Sequence, residues 1–514
     1  MNRYVLWLAA LFALWPAAVQ AEWMEASSPH FVVYADDSAR DLQRFSEQLE
    51  RYHAAMAMLT GRNVPPPSPS NRVTVYVVRG VGKVRELAGM DDRYLQGFYV
   101  PRAGGSLAVV PRVNAGIGVV DMSMIVLLHE YAHHFMIGAS SFPMPRWLSE
   151  GGAEFFASAA FDADGGISLG RPAQHRAAEL YLARDVTAGD LLDPERYEKR
   201  GKSSGYDAFY GKSWLLYHYL TFEPARRGQL DRYLLAMAAG KSSRDAAQEA
   251  FGDFAQLEKD LDVYLKRPRV QMFAIKPSMI QIGRVELRAL SAGEAEMMPV
   301  RIRSRRGVND EQAKAVVADA RKVAARYPQD AAVQSALAEA EYDAGNDTAA
   351  IDAADKALAL DPGQVNAYVQ KGFALFRQAG EAKDSSAAYR AARMPFVQLN
   401  RREPDHPLPL VYYYRSFVEQ GDAPTLLAMQ GFERAVELAP FDLGLRMTLA
   451  MQQLQLGNRE AARRNLQPIA FNPHGGDLAE TARKTITRMD GNPAWRGEGE
   501  PAPDASVAAD EDDS

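Results

Sequence analysis

His129-Glu130-Tyr131-Ala132-His133 sets two imidazoles four residues apart in an apolar run between Asp121 and Gly138. On a helix, residues four apart stand one turn above each other, so both rings point the same way. Two histidines so placed can grip a divalent ion; zinc is the usual occupant, though the ligand types also suit other divalent ions. Glu130 lies about 100° round the helix from His129. There it sits beside the ion and can take a proton from a metal-bound water. The pentapeptide alone could equally be a surface helix with two solvated histidines. Its Met, Ile, Val, Leu and Phe neighbours argue for burial, and burying two His and a Glu without an ion or partners is costly. Asp121 or Ser123 can cap the start of this helix, and Gly138 suits a left-handed turn at its end.

A second string follows a short loop containing Pro143 and Pro145: Arg146-Trp147-Leu148-Ser149-Glu150-Gly151-Gly152-Ala153-Glu154-Phe155-Phe156. The spacing from His133 to Glu150 allows one helix to end and another to pack across it. Glu150 then completes a His, His, Glu set and leaves a fourth zinc position for water. Glu154, one turn on, can accept a hydrogen bond from the outer nitrogen of a ligand histidine. Their Trp, Leu, Ala and Phe surroundings count against a reading as surface carboxylates. His134 follows a ligand directly and points elsewhere.

The two strings together resemble the gluzincin metallopeptidases, which include thermolysin and the aminopeptidase-N group. Trp147 to Phe155 is most similar to the small bacterial peptidase-MA-like families. The resemblance covers roughly residues 30–265 and implies that Glu150 is the third zinc ligand and that Glu154 orients a ligand histidine. Phe209-Tyr210-Gly211-Lys212-Ser213 is similar to the Tyr-x-Lys-Gly string of the aminopeptidase-N group, with Ser213 in place of Gly. That implies oxyanion stabilisation by Tyr210, with Tyr206 as the rival. The loop between the two zinc helices is slightly shorter than in the large gluzincins. The Gly-x-Met-Glu-Asn string of aminopeptidases is missing, and between Asp92 and Glu130 only Asp121 is acidic. A grip on a free substrate amine is therefore disfavoured, leaving an endopeptidase. In this superfamily an edge strand holds extended substrate, and Gly104 to Pro111 reads as a strand. It either pairs with peptide, with Val109 and Val110 lining the cleft, or simply packs.

The positioning elements follow from the patterns upstream and downstream. Strands are expected at His30–Tyr34, Arg72–Val78, Phe98–Val100 and Leu107–Val110, and helices at Ser38–Thr60 and Val84–Ala88. From Pro172 to about Arg267 the pattern is helical, with amphipathic stretches at 173–184, 206–222, 226–239, 242–250 and 254–266. Lys202 to Gly205 reads as a flexible approach to the helix that carries Tyr210. His30, His53 and His175 read as isolated structural or exposed residues, and His218 as a packing or capping residue. Val270 to Ile275, Ile280 to Ile282 and Val300 to Arg303 read as short strands of a small linking sheet.

After Gly307 the chain becomes Ala-rich with a period near 34, the distance from Pro328 to Pro362. Leu337, Ala338, Ala350, Ala357 and Pro362 fall at tetratricopeptide spacings. Ala428, Phe432, Ala435 and Pro440 repeat the second half of that pattern, and Leu449, Ala450, Ala462 and Leu466 form another unit. Tyr368, Gly372 and Leu375 begin an irregular unit. Small residues at these places allow close helix contact; an Ala-rich bundle without repeats is the plainer alternative. The resemblance to tetratricopeptide solenoids implies a peptide- or protein-binding concave face.

The 514 residues allow about three domains, and 47% apolar with 24% charged residues is globular composition. A net charge of -6 gives no basic bias toward nucleic acid. The absence of cysteine excludes disulfides, thiolate ligands and a thiol nucleophile. Arg3, an apolar stretch from Tyr4 to Trp15 and Val19-Gln20-Ala21 have the layout of a secretory signal. The stretch is short for a bilayer span, and no later run replaces it, so a secreted protein of a bacterial periplasm is expected. The divisions are then a signal peptide (1–21), an α+β thermolysin-like zinc peptidase domain (22–268), a β-rich linker (269–306), an all-α tetratricopeptide solenoid (307–490) and a disordered acidic tail (491–514). Two functions fit: a Zn2+ peptidase whose repeats recruit a protein, or a tetratricopeptide scaffold with a non-catalytic zinc domain.

Overall fold

In the computed structural model, residues 23–62, 65–89, 95–111, 116–139, 144–182, 185–200, 207–472 and 476–498 are described. The signal segment, Lys202 to Gly205, Tyr206 and the terminal acidic run lie outside them. Among the described residues, ten short strands build two sheets: β1 (Met24–Ser27), β2 (Phe31–Ala35), β3 (Val73–Val78), β4 (Phe98–Val100), β5 (Leu107–Pro111), β6 (Gly118–Val119), β7 (Ala160–Phe161), β8 (Ile167–Leu169), β9 (Phe273–Ile275) and β10 (Glu286–Ala289). The larger sheet has the order β10-β1-β2-β3-β5-β4, and the smaller, antiparallel one has the order β6-β7-β8-β9. Strands β2, β3 and β5 run parallel, with Val33 beside Val75 and Val75 beside Ala108.

Those three strands are near-continuous apolar runs because both of their faces are covered. On one face α1 (Ala39–Thr60) and the candidate metal helix α3 (Met122–Ala139) bury Val33, Val75, Ala108 and Val110 against Leu42, Leu49 and Leu127. On the other face α2 (Val81–Ala88) brings Val84 and Leu87 against Tyr76, Val78 and Val109. The expected substrate-pairing strand is corrected here. Val109 and Val110 are buried in β5, an interior strand, and the edge belongs to β4, which pairs antiparallel with β5.

Helical structure follows: α4 (Arg146–Ala157), α5 (Ala177–Leu182), α6 (Ala188–Leu192), α7 (Pro194–Lys199), α8 (Phe209–Phe222), α9 (Gln229–Ala238), α10 (Ser243–Phe251) and α11 (Phe254–Leu265). The remainder is an array of helical hairpins made from α12 (Ala292–Arg306), α13 (Asp310–Arg326), α14 (Ala331–Asp343), α15 (Asp347–Leu360), α16 (Val365–Glu381), α17 (Ser385–Arg402), α18 (Pro407–Val418), α19 (Leu426–Leu438), α20 (Leu443–Gln455), α21 (Arg459–Ala470) and α22 (Gly476–Gly491). Each helix packs on its successor, and α14 also touches α12 and α16. Ala338, Ala350, Ala357, Ala428, Ala435, Ala450 and Ala462 are fully buried where these helices meet. No described helix is long and apolar enough to cross a membrane.

Residues 269–306 do not form a sheet of their own. β9 extends the small sheet, β10 extends the large one, and Val300 to Arg303 lies within α12. The alternation at Met298, Val300 and Ile302 looks strand-like because this helix is buried on two sides. Met298 and Ile302, one turn apart, face the large sheet, while Met297 and Val300 face α13 and α14. A capping box between Ser291 and Glu294 starts the helix. The expected disordered tail is also corrected at its start. Trp495 is buried among Met447, Leu454 and Met489, and Arg459 donates a hydrogen bond to its carbonyl.

Candidate metal centre

Helix α3 is held from behind by α1. The Tyr52 hydroxyl donates to the Leu128 carbonyl at 3.0 Å, and His53 Nδ1 lies 2.6 Å from the Tyr131 hydroxyl. Asp121 caps its start, accepting from the Met124 amide. Gly138 does not form the expected left-handed stop: it stays inside the helix, where a Cβ would meet Pro440 at an ordinary 3.7 Å. Helix α4 crosses α3 and packs on α8 through two glycines. A Cβ on Gly151 would stand 2.4 Å from the Ser213 carbonyl oxygen, and one on Gly152 3.0 Å from Met136 Sδ. The bare backbone at Gly151 lets α8 approach closely, and the first turn of α8 carries Tyr210.

This packing brings His129, His133 and Glu150 together, all of them buried. The Nε2 atoms of the two histidines are 3.1 Å apart, and Glu150 Oε2 lies 3.3 Å from His129 Nε2 and 3.4 Å from His133 Nε2. A tetrahedral ion with ligands about 2.0–2.2 Å away holds them about 3.3 Å from one another. The donor spacing therefore fits zinc. Both outer nitrogens have a polar neighbour: His129 Nδ1 lies 3.3 Å from Glu154 Oε1, and His133 Nδ1 lies 3.1 Å from Ser149 Oγ. A proton held at Nδ1 leaves the Nε2 lone pair facing the cage.

Glu154 is itself clamped. His175 Nε2 donates to its Oε2 at 2.5 Å, and Arg176 donates through Nε and Nη2 to its Oε1 at 3.0 and 2.6 Å. Arg176 also pairs with Glu179, which accepts from the Gly211 amide at the start of α8. His175 is thus not isolated, as its lone position in the sequence suggested; the turn before α5 brings it onto Glu154. Nor are His30 and His53, which stack at 3.6 Å with Glu50 accepting from His30. Ser149 and Arg176 were missed as well. The signal for Ser149 was its place beside Glu150, whereas Arg176 arrives through tertiary folding alone.

The electrostatics follow from these contacts. Burial alone would lower the pKa of His129, but the carboxylates of Glu150 and Glu154, each 3.3 Å from one of its ring nitrogens, outweigh it and push it up to about 10. The cage has a strong preference for positive charge. Burial raises Glu154, yet its contacts with His129 and His175 and the charge of Arg176 hold it well below the usual carboxylate range. Burial and the charge of Glu150 raise Tyr210, with Arg146 and Arg176 opposing, so the phenol keeps its proton at neutral pH. Its ring lies 6.4 Å from that of His129. Glu130 is half-buried and has no hydrogen-bond partner among the described residues. His134 is kept apart: its Nδ1 lies 2.5 Å from the Tyr99 hydroxyl, its ring meets Phe441 at 4.3 Å, and burial lowers it to about 4. His218 is a packing residue, buried and bonded to Tyr264 and to the Gly170 carbonyl.

No family model matches this sequence, and no curated protein matches it. Among solved structures the chain is similar to a thermophilic tetratricopeptide protein of Thermus thermophilus. Identity is 16% and the TM-score is 0.30, over 34% of this chain and 92% of that one.

Proposed function

We propose that the protein is a zinc-dependent peptidase with a thermolysin-like metal half, acting outside the cytoplasm and positioned by a protein-binding repeat array. The observation that carries this reading is the inward spacing of His129, His133 and Glu150, with a polar neighbour at both outer imidazole nitrogens. These three residues would hold Zn2+, which when bound polarises a carbonyl and acidifies a water. Glu130 would take the proton from that water and pass it to the leaving amine. Tyr210, protonated and beside His129, would donate a hydrogen bond to the developing oxyanion. Peptide would lie along β4, an edge strand of the large sheet, where main-chain pairing suits an extended substrate. Tyr99 on that strand reaches His134 on α3, so edge and metal helix are tied together. The leader-like segment is the basis for a periplasmic location.

The test is Glu130→Gln in the mature chain. It should retain about one zinc per chain and lose at least about 10²-fold in turnover of unstructured protein substrate. Undiminished activity in that variant would sink the mechanism. Glu150→Ala should lose most of the metal; a well-folded wild type with no affinity for zinc would refute the site itself.

The helical array favours a second reading, in which it captures a protein partner and the metal-binding half is structural. Under that reading Glu130→Gln leaves the biological function intact, so a phenotype in that variant counts against it.

A further inference from the structure

Arg146 opens α4 one turn before Glu150, so both side chains leave the same face, about 6 Å apart along the axis. Its guanidinium carbon lies 4.3 Å from the Phe209 ring centroid and 5.8 Å from the Tyr210 centroid, and its charge acts on the Tyr210 phenol. A guanidinium only donates, so the phenolic proton of Tyr210 remains free for the cleft. Arg176, on the same ring at 4.7 Å, is neutralised by Glu154 and Glu179. Arg146 makes no ion pair within 4 Å among the described residues: the carboxylate charge that acts on it is that of Glu150, which belongs to the candidate metal set, and its buried Nε has no hydrogen-bond partner there. A partly desolvated cation whose nearby carboxylate is committed to a candidate metal site, and which has no carboxylate of its own in ion-pair contact, is an incomplete pair.

We propose that Arg146 is the anion-recognition residue of the cleft and that the preferred substrate carries a carboxylate about one or two residues from the scissile bond. This rests on the peptidase reading above. An extended chain advances about 3.3–3.6 Å per residue, which matches the one-turn offset between Arg146 and Glu150. The planar fork of Arg146 suits a carboxylate bidentately. That carboxylate is either the substrate C-terminus or an acidic side chain.

Three hydroxamates separate these cases on the zinc-loaded mature chain, with binding read by calorimetry. One is a hydroxamoyl-leucine with a free C-terminus, one its leucine amide, and one an aspartate amide. At least one of the two carboxylate ligands should bind about tenfold or more tighter than leucine amide. Which of them does so identifies the source of the charge. In Arg146→Gln, checked for retained zinc, the preference should collapse to about twofold or less, and Arg146→Lys should keep part of it. Equal binding of all three ligands to wild type, which needs no variant to fold, overturns the proposal. So does a preference that survives Arg146→Gln. Failure of every hydroxamate to bind zinc-loaded protein overturns the peptidase reading itself, and this inference with it.

Discussion

Replacing Glu154 by Gln tests whether the layer behind the ligands tunes the metal or only holds the fold. Glu154 is 1% exposed, accepts from His175 and twice from Arg176, and pairs at 3.3 Å with His129 Nδ1. Glutamine keeps the volume but has one acceptor oxygen and one donor nitrogen. Arg176 cannot accept, so the amide oxygen must face Arg176 and His129, and the NH2 must face His175, which can present a lone pair by changing tautomer. Three charge-assisted contacts then become neutral-acceptor contacts, each weaker by about 1 kcal/mol. The expected loss is up to about 3 kcal/mol of stability without metal. Losing the carboxylate behind a ligand histidine typically weakens metal affinity about 10–100-fold, or about 1.4–2.8 kcal/mol. Zinc competition against a chromophoric chelator reads the second quantity, and urea unfolding of the metal-free chain reads the first. Stability reduced with zinc affinity within about twofold of wild type would show that Glu154 serves the fold alone.

Gly151→Ala should destabilise by about 1–3 kcal/mol in urea unfolding, because its Cβ would meet backbone rather than a movable side chain; an unchanged midpoint would mean α4 and α8 can separate without loss. Asp343 gives a pH dependence: burial, then the charge of Glu339, raises its carboxyl to about 7, with the Ser304 hydroxyl and then Arg102 and Arg305 opposing. The folded state binds the extra proton above the unfolded pKa of about 3.8, so this contribution is complete below that value and is lost as pH rises through about 7. Asp343→Asn should therefore flatten the decline in unfolding midpoint between about pH 4 and 7, and an unchanged slope would refute the assignment.

The clustering of His129, His133 and Glu150 could be read from sequence because these residues lie in two strings, each on one helix, where spacing fixes direction. The oxyanion candidate Tyr210 required a short motif, and its rival Tyr206 lies outside the described residues. What could not be read is what tertiary folding delivers. His175 and Arg176 reach Glu154 from a turn with no periodic signal, and the edge position passed from Leu107–Pro111 to Phe98–Val100 because pairing order is not written in either strand. Val300 and Ile302 misled for a definite reason. A helix sandwiched between a sheet and a helical array carries apolar residues on two faces, and over a short window that looks like the alternation of a strand.

The same sandwiching bears on how the two halves work together. The array does not hang from a linker. Asp442, which caps α20, also accepts from the Ala103 amide; Glu403 accepts from the Ser70 amide and hydroxyl; and Asn71 donates to the Leu438 carbonyl. Phe441 lies on His134, and Ile137 packs into the core formed by α18, α19 and α20. Both His134 and Ile137 belong to α3, the helix that presents His129 and His133. Cutting the chain at 307 would therefore uncover the back of the metal helix, and lost activity in such a fragment would not distinguish lost recruitment from a disturbed site. Point changes separate the two, because they leave this interface intact. Glu130→Gln acts only on the proposed proton-transfer group, whereas substitutions on array surfaces remote from Phe441 and Asp442 would act only on the proposed partner capture. If both classes abolish the biological function, catalysis and recruitment are parts of one activity.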